Sequence, residues 1–148
     1  VLWRGQELAT WPVATLRQQV LLVPEVPFFF GLTVEETIAY PLKLRRWPHP
    51  QIQANLSYWL ERMELPRHWY GLREFELSLG DRQWVVLTRA LVAAPQLFLL
   101  EEPLKLLATP RQALFLQLLD AQTEQAVLMV HPAPLPAPWV ALAGVEGA

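Results

Sequence analysis

The chain has 148 residues, enough for one domain with a real core. Its 53% hydrophobic content excludes an intrinsically disordered chain, and a formal net charge of -2 argues against a nucleic-acid binder. With no cysteine, disulfides and thiolate metal sites are excluded. The opening VLWRGQEL has neither a basic start nor an apolar stretch, so no signal peptide is expected. The apolar run from Pro132 to Val145 carries four prolines and is too short to cross a bilayer. The expectation is a soluble chain, or one held at a membrane by a partner.

In chain order, Val1-Leu2-Trp3-Arg4 followed by Gly5-Gln6 reads as a short strand entering a turn. Val20 to Val23, ended by Pro24, reads as a buried strand. Thr33 with Glu36 three residues on is a capping box opening a short helix, expected to stop before Pro41. Pro50 is expected as the first residue of a second helix, in which Ile52, Leu56, Trp59, Leu60 and Met63 form one apolar stripe. Ser78 precedes a helix from about Asp81 to Ala93, and Leu97 to Leu100 is an apolar strand ending at two glutamates. Thr109-Pro110 is read as the cap of a helix to about Gln122, with Leu114, Phe115, Leu118 and Leu119 inward. Ala126 to Val130 is expected as a buried strand with His131 at its end. A weaker strand, Trp139 to Ala143, follows a proline-alternating linker that cannot form a helix, and is expected to be poorly anchored.

Apolar strands alternating with helices predict an α/β fold with a parallel sheet and a helical insertion over residues 34–75. Ligands on such sheets sit at the carboxyl ends of the strands, where Glu25, Glu101, Glu102 and His131 fall.

The order and spacing of several segments resemble the ATP-binding domain of ABC transporters, a P-loop NTPase-like fold. Leu77-Ser78-Leu79-Gly80-Asp81-Arg82-Gln83 resembles the family signature LSGGQ with its following basic-Gln pair. Leu97-Phe98-Leu99-Leu100-Glu101-Glu102-Pro103 resembles the Walker B strand, and Val127-Leu128-Met129-Val130-His131 the switch strand. Arg17 to Glu25 and Thr33 to Glu36 resemble the Q-loop region. The match runs from Val1 to His131, which makes residues 1–148 a partial ATP-binding domain, with 76–148 the signature, Walker B-like and switch-histidine part. Around Tyr40-Pro41, Leu60-Glu61-Arg62 and Leu65-Pro66 the wording is most similar to bacterial iron-export-type ATPases. Each piece has another reading when taken alone. Glu101-Glu102 could be a solvated strand end, His131 a surface histidine, Phe28-Phe29-Phe30 core, and Trp84 packing.

The resemblance implies roles for these positions. Glu102 matches the general base and His131 the switch histidine. Ser78, Gly80, Asp81 and Glu25 match nucleotide-contacting positions, and Glu101 and Glu25 match positions around Mg²⁺. ATP and Mg²⁺ are the implied cofactors. The implied partners are a membrane permease subunit and a homo- or heterodimeric ATPase partner, with no nucleic acid and no direct membrane insertion. The implied location is cytoplasmic, at the inner face of the plasma membrane through the permease.

The pattern departs from the family in one large respect. No G-x-x-x-x-G-K-[ST] loop is present, and neither Lys43 nor Lys105 follows a glycine. The family places that loop before the segment matching Val1, so an N-terminal truncation that removes the P-loop and its strand is expected. The Q-loop Gln is Glu25, the Walker B Asp is Glu101, the first signature Gly is Leu79, and the D-loop Asp is Ala108. Glu25, Asp81, Glu101 and Glu102 therefore suggest an acidic site with no compensating lysine, which would repel a nucleotide polyanion. The readings that follow are a transporter ATP-binding subunit whose P-loop is supplied upstream, a non-hydrolysing relict or interaction module docking on a permease or partner ATPase, and an unrelated α/β fold. In the first two, Phe28, Phe29 and Phe30 are candidate permease contacts.

Overall fold

The structure, a computed structural model, describes residues 1–136, 138 and 139. Strands β1 (Leu2–Trp3) and β2 (Gln6–Glu7) form an antiparallel hairpin. Its turn has Arg4 and Gly5 at φ 50° and 78°, the left-handed pair that matches the twist of a tight hairpin and favours glycine. Helix α1 (Val13–Gln19) leads directly into β3 (Val20–Val23). β3 pairs in parallel with β4 (Leu97–Glu101), which pairs in parallel with β5 (Ala126–Val130), in the order β3-β4-β5. The predicted α/β class with a parallel sheet is the fold observed. The weak strand expected over Trp139–Ala143 lies, beyond Trp139, outside the described residues.

Helix α2 (Val34–Leu44) begins at the capping box that the sequence specifies. Thr33 Oγ1 accepts from Glu36 N–H, and Glu36 Oε2 accepts from Thr33 N–H at 2.9 Å. The donors left over in the first turn are also satisfied, since Val34 N–H donates to Leu72 O and Glu35 N–H to Tyr70 O. The helix does not stop before Pro41 as expected; it continues to Leu44. A mid-helix proline costs about 3 kcal/mol in isolation. Here Ile38 and Leu42 flank it fully buried, and packing along α4 outweighs the lost bond.

Helix α3 (His49–Arg62) starts one residue before Pro50, so the proline is its second residue rather than its first. Its stripe faces inward: Ile52, Leu56, Trp59 and Leu60 are buried, and so is Met63 just beyond. Helix α4 (Leu79–Ala93) begins two residues earlier than Asp81, because Ser78 accepts from the Asp81 N–H and so caps from Leu79 onward. Helix α5 (Thr109–Asp120) has Ala108 at its cap position and no side-chain cap, which corrects the reading of Thr109-Pro110 as the cap. One continuous core joins α2, α3, α4, α5 and one face of the sheet.

The strands expected to be buried are covered on one face only. Val23, Phe98 and Leu100 belong to the core, with Leu21, Val127 and Met129 packed against it. On the other face Leu22, Leu99 and Leu128 stand in one row by register, and Leu22, Leu128 and Val130 are exposed. Strand side chains alternate between faces, so covering one layer hides every second residue. Among the described residues β5 has a neighbour on one side alone, which corrects its reading as a buried strand.

Candidate functional site at the strand ends

The parallel register delivers the ends of β3, β4 and β5 to the same side of the sheet, with Val23 beside Leu100 and Glu101 beside Val130. Glu101 is the last residue of β4 and is solvent-exposed. By alternation it belongs to the side of Leu97 and Leu99, opposite the core. Glu102 follows at φ 42°, a left-handed conformation uncommon for glutamate. Its N–H donates to Val130 O at 2.8 Å, fixing it next to the end of β5. A backbone outlier held this way at a strand end is the kind of feature that marks functional positions. His131, directly after β5, has Nδ1 2.9 Å from Ala133 O and 3.2 Å from the Ala133 N.

Lys105 changes the electrostatics expected from the sequence. Its ammonium pairs with Glu25 and with Glu102 Oε2, the latter at 3.2 Å. The acidic cluster thus has a compensating lysine, and the contrary expectation is corrected. No local signal announces this contact, because Lys105 lies 80 residues from Glu25 and the parallel pairing of β3 with β4 brings them together. Hydrogen bonds to Glu25 and then Glu102 raise the Lys105 pKa above the ordinary lysine value. The loop carrying it is fixed from beneath. Gln83 Nε2 donates to Pro103 O, and Gln112 Nε2 to Leu104 O and Leu107 O.

The signature segment is bonded internally. Ser78 Oγ donates to Asp81 Oδ2, and Asp81 Oδ1 accepts from Arg111 Nη1 at 2.8 Å. Burial pushes the Asp81 pKa up, but the hydrogen bonds from Ser78 and Arg111 and the Arg111 charge outweigh it and hold the carboxyl below the ordinary aspartate value. Asp81 sits in the first turn of α4, so its carboxylate occupies the positive end of the helix dipole, where a phosphate would bind. Arg111 is stacked between Trp69 and Trp84, 5.4 and 5.5 Å from the ring centres. Trp84 is 1% exposed and its Nε1 donates to Met63 O, so the packing reading of this residue holds. Gly80 is needed for a close approach within the chain, since a Cβ there would stand 2.6 Å from Leu106 O.

The fold therefore brings together two groups, Glu25–Lys105–Glu102 and Ser78–Asp81–Arg111. No hydrogen bond or ion pair among the described residues links either group to His131. Sequence reasoning missed Lys105 and Arg111. The signal for Arg111 was its place in the first turn of a helix otherwise lacking charge until Asp120. Surface concavities at Trp3, Gln96 and Ala126, and at Glu35, Glu61 and Arg67, lie away from these strand ends.

Mg²⁺ and ATP fit this arrangement poorly. Among the described residues no three carboxylate or imidazole groups converge as a metal site, and an ammonium stands between Glu25 and Glu102. Asp81 fills the helix end that a phosphate would need.

Comparison with known proteins places this geometry in a lineage. The sequence profile described as ABC transporter matches residues 1–105. The spermidine/putrescine import ATP-binding protein PotA of Chromobacterium violaceum is 38% identical over 122 residues, covering 81% of this chain and 32% of that protein. The human ATP-binding cassette sub-family B member 5 is 31% identical over 139 residues, covering 88% of this chain and 11% of its own length. The chain thus spans about a third or less of the curated relatives it matches. Among solved structures, an ATP-binding subunit of an ABC transporter superposes with a TM-score of 0.74 at 24% identity, over 86% of this chain and 54% of that one. A dimeric ATP-binding cassette in a post-hydrolysis state with ADP and phosphate superposes with a TM-score of 0.75 at 19% identity, over 88% and 61%. These likenesses show a shared fold, and the sequence profile settles the lineage: the chain belongs to the ABC transporter family, within its ATP-binding domain.

Proposed function

We propose that this chain is part of a transporter ATP-binding subunit, with residues 76–148 its signature, Walker B-like and switch-histidine part, that it docks on a membrane permease at the cytoplasmic face, and that the chain by itself neither holds nor hydrolyses ATP. The observation that carries the reading is the internal satisfaction of both charged groups. Lys105 answers Glu25 and Glu102, and Arg111 answers Asp81, so the groups that would meet Mg²⁺ and phosphate already meet the chain itself.

The docking surface is narrower than Phe28-Phe29-Phe30. Phe29 is fully buried, with its N–H donating to Glu74 Oε2, and belongs to the core. Phe28 and Phe30 are exposed, packed edge to face at 4.5 Å, with Tyr40 and Arg89 beside Phe30. An aromatic patch with a basic neighbour suits a helix laid across it. No helix of the described residues is long and apolar enough to cross a membrane, so attachment through a partner is the consistent route. Replacing Phe30 by alanine is expected to leave the melting curve unchanged and to weaken co-purification with a permease at least fivefold, about 1 kcal/mol. Undiminished capture by a folded Phe28→Ala/Phe30→Ala variant would remove the docking reading.

A second reading draws on one observation. Glu102 is held at a strained strand end one backbone hydrogen bond from β5, which His131 follows. That is where a general base and a switch histidine would serve hydrolysis if a phosphate-binding loop were provided. Under this reading Ser78, Gly80 and Asp81 serve a nucleotide bound by a dimer partner.

A further inference from the structure

The geometry points to Arg89 as the anchor for an acidic side chain on the docked helix, so that the partner segment carries a carboxylate beside its apolar face. This deepens the docking reading above and rests on it. Between Gln83 and Ala93 every residue of α4 is buried except Arg89, which is where this stretch of the helix reaches the surface. Its guanidinium donates to Phe28 O over a long 3.4 Å and stands 5.7 Å from the centre of the Phe30 ring. Among the described residues no carboxylate pairs with it. Glu74, which reaches the same segment, is taken by Phe29 N–H and by Arg82.

A guanidinium cannot shed its proton to relieve burial, and it carries a fork of N–H donors. Burial pushes the Arg89 pKa below the ordinary arginine value, the mark of a charge that has lost water. One long bond to a carbonyl and one aromatic ring leave most of its donors open. A carboxylate fills them, because it brings the opposite charge and two acceptor oxygens in the matching geometry. Lys43, one turn beyond Tyr40 on α2, adds charge of the same sign. The surface around Arg89 is set before a partner arrives. Phe30 is held at φ 57° with Gly31 at 77°, and Arg73 Nη1 donates to Gly31 O at 2.7 Å. Backbone strain is thus kept where an aromatic ring stands 64% exposed. Aromatic anchors around a partly desolvated arginine are the composition of an interface hot spot, and a preset surface lowers the cost of docking.

The test is fluorescence anisotropy of two labelled, stapled helical peptides titrated with the 148-residue chain. Both carry one leucine stripe, flanked by Glu in the first peptide and by Gln in the second. The chain's net charge of -2 gives no general attraction for an acidic peptide, so a preference for Glu reports a local cation. The Glu peptide should bind the unaltered chain about tenfold tighter than the Gln peptide. That preference should vanish in Arg89→Met, whereas Phe30→Ala should weaken both peptides. Equal binding of the two peptides, both weakened by Phe30→Ala, would overturn the acidic partner and leave the docking reading standing. A Glu preference that survives Arg89→Met would overturn it as well. Binding of neither peptide, or binding indifferent to Phe30→Ala, would remove the docking patch and its anchor together. Should circular dichroism show Arg89→Met misfolded, Arg89→Gln is read by the same rule.

Discussion

On one face of the sheet Val23, Phe98 and Leu100 are 2% exposed or less, whereas on the other Leu22, Leu128 and Val130 stand 56, 45 and 63% exposed. The two faces are built from the same residue types on the same three strands. What separates them is the layer laid on top. The covered face meets α4 and the rest of the continuous core, while the bare face meets nothing comparable among the described residues. A run such as Val-Leu-Leu-Val, apolar at both parities, is the pattern of a strand buried on both sides. The lesson is that the strands carry apolar side chains for two layers and the described residues cover one. A contiguous apolar row of this kind recruits another surface.

The largest expected effect lies on the covered side. Phe29 is fully buried, so Phe29→Ala removes a core ring and should cost about 3–5 kcal/mol in urea unfolding. A loss below about 1 kcal/mol would show that this region is not the main store of stability.

A smaller effect is expected at the Asp81–Arg111 pair. The Asp81 carboxyl is held below its ordinary value, so its contribution is fully present above the unfolded aspartate pKa and disappears as pH falls through the folded one. Asp81→Asn should therefore destabilise the chain at pH 7 by about 1–2 kcal/mol and lose that difference under acid, near or below pH ~4. Thermal melts across pH check it; a penalty that does not shrink as the pH is lowered through the acid range would show that the ionised carboxylate does not carry it.

The smallest change in stability, and the sharpest contrast, is expected on the bare face. Leu128→Lys should alter the unfolding free energy by no more than about 0.5 kcal/mol and reduce self-association in sedimentation velocity. A loss comparable to Phe29→Ala would mean that Leu128 is covered in solution and that the two faces do not differ.

Most of the fold was legible because its signals are local. The Thr33–Glu36 capping box and the stripe from Ile52 to Met63 are written within a few residues and were found as expected. So were the three parallel strands, whose apolar runs and ordered motifs point to one sheet. The misreadings were tertiary. Pro41 stays helical because Ile38 and Leu42 are buried on either side of it, and no local rule contains that burial. Phe29 and Phe30 look alike in sequence, yet one is core and the other is exposed with φ 57°. At the candidate site, Glu102, His131, Ser78 and Asp81 could be named from motif order. Lys105 and Arg111 could not, because each acts on a partner 80 or 30 residues distant through packing that only the folded chain supplies.

The central claim is that these charged groups satisfy one another and leave no seat for a nucleotide. Titration calorimetry of Mg·ATP into the 148-residue chain tests it most directly. No binding tighter than about 1 mM, a free energy near -4 kcal/mol, is predicted. A micromolar Kd with turnover abolished by Glu102→Gln would contradict the account.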